Sequence, residues 1–583
     1  MENRELARLL RETADLMEVA GEDPFRIRSY RKAADALESC PERLADLYAD
    51  RKRLLALPGI GARMADNITE MIATGHLRWH DELLERYRPE MLELLKVQGL
   101  GPKTVALIWE THRAASLDEV ESLARAGRLR ELPRLGAKAE EKILRAIASY
   151  RSLTGRTLLS TAARIVEDVL PKLAALPGIK QAAVAGSFRR GRETVGDLDF
   201  LVAGPGLGQG GETAVSAAFL GLPGIVETLA EGENKVTVRR SDGLQMDLRL
   251  LPEASFGAAL QYFTGSQQHN VKLRQRAQRR GAKLNEYGLF DSGGALLAGA
   301  SEEGIYAALG LDWIPPELRE DGGEIEAAEA HALPALVAET DLRGDLHMHT
   351  VATDGRATIE EMAAAAQQRG YAYIAITDHS QALAMARGLD ETRALEQIAR
   401  IRAADAVFSA ADPPLRIFAG IEVDIHADGA LDLHDTVLAQ MDVVIASVHS
   451  RFDLPPDEMT ERLLRAIANP HVNVLGHPSG RLLLRREPYR FDFPSVLAAC
   501  REHGVTMEIN ASPERLDLND AAARACGRQG VRVVINTDAH HPRHLNFIRY
   551  GVATARRGWL TPASVLNTLP ADRLLACLKR RAD

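Results

Sequence analysis

The sequence has little of what would staple a chain of this length, carry it across a membrane or coat it with positive charge. Among 583 residues there are four cysteines, Cys40, Cys500, Cys526 and Cys577, and no CxxC spacing joins any two of them. That excludes a disulfide framework and a zinc knuckle, and reduced thiols in a cytoplasmic protein are the expectation. Aromatic residues make up only 5% of the chain. No apolar run reaches the roughly 18 residues a membrane span needs, so no membrane partner is expected. The first residues, MENRELARLLRETADLMEVAGEDP, are an acid-bearing amphipathic pattern unlike a signal peptide. Positive charge is also in short supply: 72 Lys and Arg face 81 Asp and Glu, a formal net charge of −9. Bulk attraction to nucleic acid is thereby excluded, and any grip on it must come from local patches or backbone donors.

What is present divides the chain, which is too long for one core. Residues 1–85 and 86–152 read as helices, with apolar residues at i, i+3, i+4 spacing and Gly-Pro-marked turns. Residues 153–252 mix a helix with β-rich runs such as AAVAGS, LDFLVA and QMDLRLL, and 253–318 return to helices. The stretch 319–340 is acidic and Ala-rich without an obvious core face, and is expected to be an interdomain linker. From 341 to 583 the texture changes to seven short apolar strands, DLHMHT, YIAITDH, IFAGIEVD, VVIASVH, VNVLGHP, VTMEIN and VRVVINTDAH, separated by helical segments. That alternation predicts a (β/α)7 barrel whose C-terminal strand ends form the reactive face. The fold class is multidomain α/β.

Two groups of residues carry chemistry. In GSFRRGRETVGDLDF, Asp197 and Asp199 lie one residue apart, which on a strand points both carboxylates to one face. Asp247, in QMDLRL, sits on another predicted strand that can lie alongside. Three acids on one face call for hard divalent cations between them, and Mg²⁺ suits such oxygen ligands. The Gly186–Ser187 turn offers backbone amides for phosphate, with Ser187 and Arg190 as further donors.

The second group accumulates at the barrel strand ends: His347 and His349, Asp354, His379, Glu422, His449, His477, and Asp538 with His540. Two His at i and i+2 on a strand face the same side. Six imidazoles and three carboxylates on one rim make a polynuclear site for two or three ions, with Mn²⁺ or Zn²⁺ favoured by the ligand set. Other acids and histidines of this half (Asp378, Asp424, His426, His434, His471, His503, His541 and His544) read as solvated or supporting groups.

The carboxylate segment resembles the palm of nucleotidyltransferases, specifically of family X DNA polymerases. LQYFTGSQQHNVKLRQRAQRRGAKLNEYGLF, 260–290, resembles that family's nucleotide-sensing thumb segment. The resemblance implies catalytic and metal-holding roles for Asp197, Asp199 and Asp247, and nucleotide contacts for Gly186, Ser187, Arg190, Gly196, Tyr262, Phe263, Gly265 and Asn270. Tyr262 and Phe263 lie beside the sugar, Asn270 reaches the minor-groove edge of the incoming base, and Arg274 contacts the template strand. The basic run Lys272–Lys283 is expected to neutralise template phosphates.

LPGIGARMADNI (57–68) and VQGLGPKTVALI (97–108) share an apolar-x-Gly-apolar-Gly form, and LPRLGAKAEEKI (132–143) is a weaker copy. Such turns expose amides at a helix N-terminus and grip phosphate without a basic surface. They resemble helix-hairpin-helix modules of the lyase-like domain (1–85) and the fingers (86–152), which implies DNA contacts at Gly59, Gly61, Gly99 and Gly101. Arg26, Arg28, Arg31 and Arg63 are expected to line a pocket for a gap's 5′-phosphate. In eukaryotic relatives a Lys of the first module forms a Schiff base with an abasic sugar; here Asn67 stands at that position and cannot.

The barrel ligands resemble those of the PHP (polymerase and histidinol phosphatase) domain. Together the resemblances imply a palm at 153–252, a thumb at 253–318 and a PHP barrel at 341–583. They imply gap filling from dNTPs on gapped or primer-template DNA, 3′→5′ exonuclease and 3′-end processing, and a monomer in the cytoplasm. A phosphatase of small molecules, merely targeted to DNA, and a non-catalytic end-binding scaffold are the competing readings; the intact carboxylates argue against the second.

Overall fold

The computed structural model describes residues 3–39, 44, 51–55, 57, 60–97, 99–133, 135–153, 155–205, 207, 213–383 and 386–578. They form two compact units, Met1–Thr154 and Gly155–Asp583. The first is helical. Asn3–Val19 and Pro24–Ser39 bury Leu6, Leu10, Met17, Ala33 and Leu37 in one core. A second core gathers Met91, Leu94, Leu100, Val105, Ile108, Val120 and Ile147, and Val19 of the first helix joins it. Three helices, Ala62–Thr74, Pro102–His112 and Ala137–Leu153, start directly after Gly61, Gly101 and Gly136. Gly61 and Gly101 are extended caps that supply no side chain; after Gly101, Pro102 carries no N–H and the Thr104 amide donates to the Gly101 carbonyl at 2.8 Å. Ile60 and Leu100, each beside such a glycine, are buried and anchor the turns. Gly59 lies outside the described residues.

The second unit begins with a five-stranded sheet in the spatial order Gln181–Val184, Asp197–Ala203, Gln245–Leu251, Lys235–Arg240, Ile225–Gly232. Asp197–Ala203 and Gln245–Leu251 run parallel, and every other pairing is antiparallel. Helix Leu159–Ala174 packs Ala162, Val166 and Val169 on Phe200, Val202, Met246 and Leu248. Helices Phe256–Thr264 and Gln267–Arg279 follow, then a small three-stranded sheet and helix Glu302–Ala308.

Residues 319–340 are not a free tether, contrary to the linker expectation. Arg319 and Ala328 are wholly buried and Ile325 nearly so, within the core formed by Leu273, Tyr306, Leu311 and Ile314. The acids of the segment answer the preceding basic helix: Lys272 reaches Asp321 at 2.5 Å and Arg276 reaches Glu329 at 2.7 Å. Charge pairing across some 50 residues hides a short apolar face that local periodicity does not reveal. The same pairs withdraw Lys272 and Arg276 from the phosphate-neutralising role expected of 272–283, while Arg274 is exposed.

The C-terminal part is a parallel sheet of seven strands in strict chain order, Gly344–Asp345, Tyr373–Ile376, Arg416–Asp424, Val443–Ser447, Val474–Leu475, Thr506–Asn510 and Val533–Asn536. A parallel bridge between Met348 and Ala539 brings the first and last strands together, so the sheet is a nearly closed barrel. Leu574 and Leu578 of helix Ala571–Leu578 join Tyr373, Phe418, Val443, Val474 and Val534 in one of its cores.

One buried ion cluster ties sheet to thumb. Glu302 accepts from Arg189 at 2.8 and 2.8 Å and from Arg319 at 2.7 and 3.1 Å. Burial alone would raise the Glu302 carboxyl, but the two guanidiniums overcome it and hold it at about 2. Replacing Glu302 by Gln strands two cations, and we expect the helix Glu302–Ala308 to lose about 3 kcal/mol of protection in hydrogen exchange. Because the folded carboxyl lies below its unfolded value of 4.5, this contribution is complete above about pH 4.5 and fades as pH falls towards about 2. A difference between wild type and variant that stayed constant over that range would contradict the assignment.

Candidate active centres

The sheet register sets the first centre. Asp199 lies directly opposite Asp247 on the neighbouring parallel strand, and Asp197 points to the same face two residues earlier. Burial, then Asp197 and Asp247, push the Asp199 carboxyl up to about 7; burial and Asp247 also raise Asp197. The trio is thus short of positive charge. Lys235, from the adjoining antiparallel strand, places Nζ 2.7 Å from Asp247 Oδ2, and Gln245 Nε2 donates to Oδ1 at 3.2 Å. The chemistry of this donor set, oxygens only with too few cations beside them, fits hard divalent ions.

Around the trio the expected nucleotide residues fall into place unevenly. Gly186 has φ +66°, and a Cβ there would sit 2.5 Å from Asp199 Oδ2, so only glycine fits. Ser187 lies in the short helix Gly186–Arg189, and Gly196 immediately precedes Asp197. Arg190 donates from Nη1 to the Thr264 carbonyl at 2.5 Å and from Nε to Glu320 at 2.9 Å. Gly265, φ +69°, leaves room for that guanidinium, which a Cβ would approach to 3.2 Å. Tyr262 and Phe263 meet edge to face with ring centroids 5.2 Å apart. Asn270 is 8% exposed: its Oδ1 accepts from Gln261 at 2.8 Å and its Nδ2 donates to the Tyr262 carbonyl at 2.7 Å. In this arrangement Asn270 braces the 261–265 turn with one hydrogen bond at each end of its amide.

In the helical unit Asn67 donates to the Tyr30 hydroxyl at 2.9 Å. Arg26 pairs with Glu22 at 2.7 Å, and Arg31 with Asp15 at 3.1 Å and with Glu18. Two of the four expected phosphate arginines are therefore tied to carboxylates.

At the barrel rim all nine expected ligands converge. Four of them (His349, Asp354, His379 and His540), and two further sets (His347, His349, Glu422 and His379, Glu422, His449), each offer ligand atoms within 4.8 Å of one another. His477 Nε2 is 2.9 Å from Glu422, and His349 Nε2 is 3.1 Å from Asp538. Buried atoms without a hydrogen bond include His347 Nε2, His349 Nδ1, His379 Nδ1, His449 Nδ1 and Glu422 Oε2. Orphaned lone pairs of this kind, facing one another, are what bound cations satisfy. Burial disfavours charge on His379 and His449, yet Glu422 above all outweighs it and raises them to about 10 and about 9. Burial, His379 and His540 instead drive His349 down to about 3. Asp538 (φ +54°) and His477 (φ +26°) adopt left-handed backbone to aim at the centre, strain typical of functional positions.

Supporting groups were partly missed by sequence reasoning. Glu508, wholly buried in the sixth strand, sits 2.7 Å from His347 Nδ1 and also accepts from the His477 amide at 2.7 Å. It turns the other imidazole nitrogen to the cluster, and an acid inside VTMEIN was the signal available. Asp424 lies 3.2 Å from His449 Nδ1, and Arg515 Nε lies 3.5 Å from Asp538. Asp378 accepts from Thr350, Thr353 and Gln397 at 2.7–2.8 Å and shapes the turn carrying His349 and Asp354.

Comparison with known proteins accounts for the pattern. Family models match a helix-hairpin-helix domain at residues 1–77, a SAM-like helix-hairpin-helix tandem at 91–149, a DNA polymerase beta thumb at 259–320 and a PHP domain at 345–512. Over 583 residues the chain is 37% identical to the Bacillus subtilis (strain 168) protein named DNA polymerase/3′-5′ exonuclease PolX, covering 100% of each. It is 28% identical to rat DNA polymerase lambda over 324 residues, 51% of this chain and 53% of that one. A probable phosphatase of Thermoanaerobacter sp. (strain X514) is 29% identical over 235 residues, 38% of this chain and 89% of that one. No helix among the described residues is long and apolar enough to cross a membrane.

The ligand geometry generates a direct test. Removing both neighbouring imidazoles, with His347→Ala and His349→Ala, should lower the divalent-metal content of the purified protein by at least one ion per chain. The palm should be unaffected, as judged by primer extension in Mg²⁺. Unchanged metal content on elemental analysis would refute the nine-residue cluster.

Proposed function

Since the chain belongs to the family X DNA polymerases that carry a C-terminal PHP domain, we propose that it fills short gaps in damaged DNA and trims 3′ ends in the same molecule. One observation carries the reading: a carboxylate trio on adjoining parallel strands and a nine-ligand barrel rim occur together in one chain. Asp197, Asp199 and Asp247 would hold Mg²⁺, which supplies charge stabilisation for phosphoryl transfer from a dNTP to a 3′-hydroxyl. Ser187, Arg190 and the amides at Gly186 bind the triphosphate, Tyr262 and Phe263 flank the sugar, and Gly265 lets Arg190 approach the turn between them. Asn270 keeps that turn in shape and reaches the minor-groove edge of the base with its second amide hydrogen. Arg274 would contact the template strand, and Gly61 and Gly101 at their helix starts, with Gly59 and Gly99, would contact backbone phosphates.

At the rim, His347, His349, Asp354, His379, Glu422, His449, His477, Asp538 and His540 would hold two or three ions, Mn²⁺ or Zn²⁺, which supply Lewis acidity for hydrolysis. Glu508 orients His347, and Asp378 fixes the turn bearing His349. The partners are gapped or primer-template DNA and dNTPs, the protein works as a monomer in the cytoplasm, and no membrane is involved. The kinship of the barrel with probable phosphatases favours one alternative substrate class, so a small phosphomonoester and a 3′-recessed duplex should be compared side by side. Faster turnover of the small ester would shift the reading.

Asp197→Asn with Asp199→Asn should cut nucleotide addition by at least about 10³-fold, since the ion-holding charge is gone, while degradation of a 3′-recessed duplex persists. Loss of both activities in a folded variant would refute two separate centres.

The helical unit gives another expectation. With Asn67 hydrogen-bonded to Tyr30 and no amine in its place, residues 1–85 should form no borohydride-trapped adduct with a 5′-deoxyribose-phosphate end. An adduct mapped to Lys32 or Lys52 would reveal a substitute nucleophile.

A further inference from the structure

The loop that leads into the carboxylate trio is held by the barrel. Gly191, φ +66°, lies so close to helix Ile548–Arg557 that a Cβ on it would come within 3.3 Å of Ala553 Cβ and 3.8 Å of Arg557 Cδ. Arg557, 6% exposed, donates from Nη1 to the Arg190 carbonyl at 2.9 Å and to Glu320 Oε1 at 3.0 Å, and from Nη2 to Asp520 at 2.5 Å. Arg190 Nε donates to the same Glu320 oxygen at 2.9 Å. A second barrel arginine, Arg481, forks onto Glu193 at 2.5 and 3.2 Å while its Nε donates to the Arg515 carbonyl at 2.9 Å. The segment 190–193 is thus pinned at both ends from the barrel.

We propose that Arg557, acting through Glu320, is a positioning residue for nucleotide binding, which makes the barrel one wall of the dNTP pocket. The proposal rests on the reading of Arg190 as a triphosphate contact. Its logic is competition for one oxygen. Arg190 and Arg557 both donate to Glu320 Oε1 and Arg192 Nη1 lies 3.8 Å from it, so none of the three is held by the full charge of the carboxylate. When a triphosphate arrives, Arg190 must exchange a carboxylate for a phosphate. Arg557 remains behind to neutralise Glu320 and to keep the Arg190 carbonyl in place. Without Arg557, Glu320 is answered chiefly by Arg190, and the exchange becomes unfavourable.

The test uses the full chain and single-nucleotide insertion into a gapped duplex in Mg²⁺, with degradation of a 3′-recessed duplex as the control for an intact barrel. Arg557→Met should raise KM for the dNTP about tenfold while kcat stays within about twofold, the size expected for one charge-assisted contact. Adding Glu320→Gln should bring KM back to within about threefold of wild type, because the competing carboxylate is gone; a merely structural role predicts additive losses instead. Should Arg557→Met lose the nuclease as well, Arg557→Lys carries the test, since it keeps the charge: KM should rise about threefold with nuclease intact. An unchanged KM in whichever of these variants retains the nuclease, or additive losses in the double variant, overturns the proposal. Arg190→Met separates the two levels. If it leaves KM for the dNTP unchanged, the triphosphate reading of Arg190 fails and takes the proposal with it. If it raises KM while the Arg557 variants do not, only the relay fails.

Discussion

Carboxylates gathered on one surface repel one another, and each cluster in this chain is stable only because positive charge is brought to it from far along the sequence. Glu302 is answered by Arg189 and Arg319, Asp247 by Lys235, and Glu422 by a ring of imidazoles. The three cases differ in what remains to be satisfied. Around Glu302 the geometry is complete and the carboxyl is strongly acidic, so the cluster is structural. Around Asp199 the protein's own cations fall short, and around Glu422 compensation comes from imidazoles that must give up their protons to take a metal, so these are the two places where added ions have work to do. Function here sits where charge compensation is left unfinished.

The contrast also explains how a net anionic protein handles DNA. Its helical unit presents glycine-opened helix starts, whose amide dipoles attract phosphate without any Lys or Arg. Several arginines there are already paired with Glu and Asp, and the basic thumb helix is partly cancelled by Asp321 and Glu329. Binding of this kind depends on shape and backbone more than on summed charge.

The centres were legible in the sequence where the strand period of two does the work. Asp197 and Asp199, His347 and His349, and Asp538 and His540 each announce a shared face, and regular β-α alternation announced the barrel. What escaped depended on partners distant in sequence. Lys235 becomes meaningful only once the register of its hairpin against Gln245–Leu251 is known. Glu508 hides in an apolar strand, and the packing of 319–340 rests on counterions some 50 residues upstream. Asn270 shows the converse limit: its residue type suits base reading, and says nothing of the hydrogen bond its amide also gives to the turn at Tyr262. The acidic stretch that looked like a tether instead packs Ile325 and Ala328 against Leu273, Tyr306 and Ile314.

The bridge between Met348 and Ala539, with His349 facing Asp538 from 189 residues away, has a consequence for how the molecule is made. On the ribosome the polymerase half emerges with all three of its carboxylates in hand, whereas the hydrolytic rim gains its last two ligands, Asp538 and His540, only after the seventh barrel strand. The nascent chain therefore passes through a long interval in which it can hold a palm but not a closed barrel. Destructive chemistry is the last thing to be assembled, and a prematurely terminated chain is disarmed by the order of its strands alone.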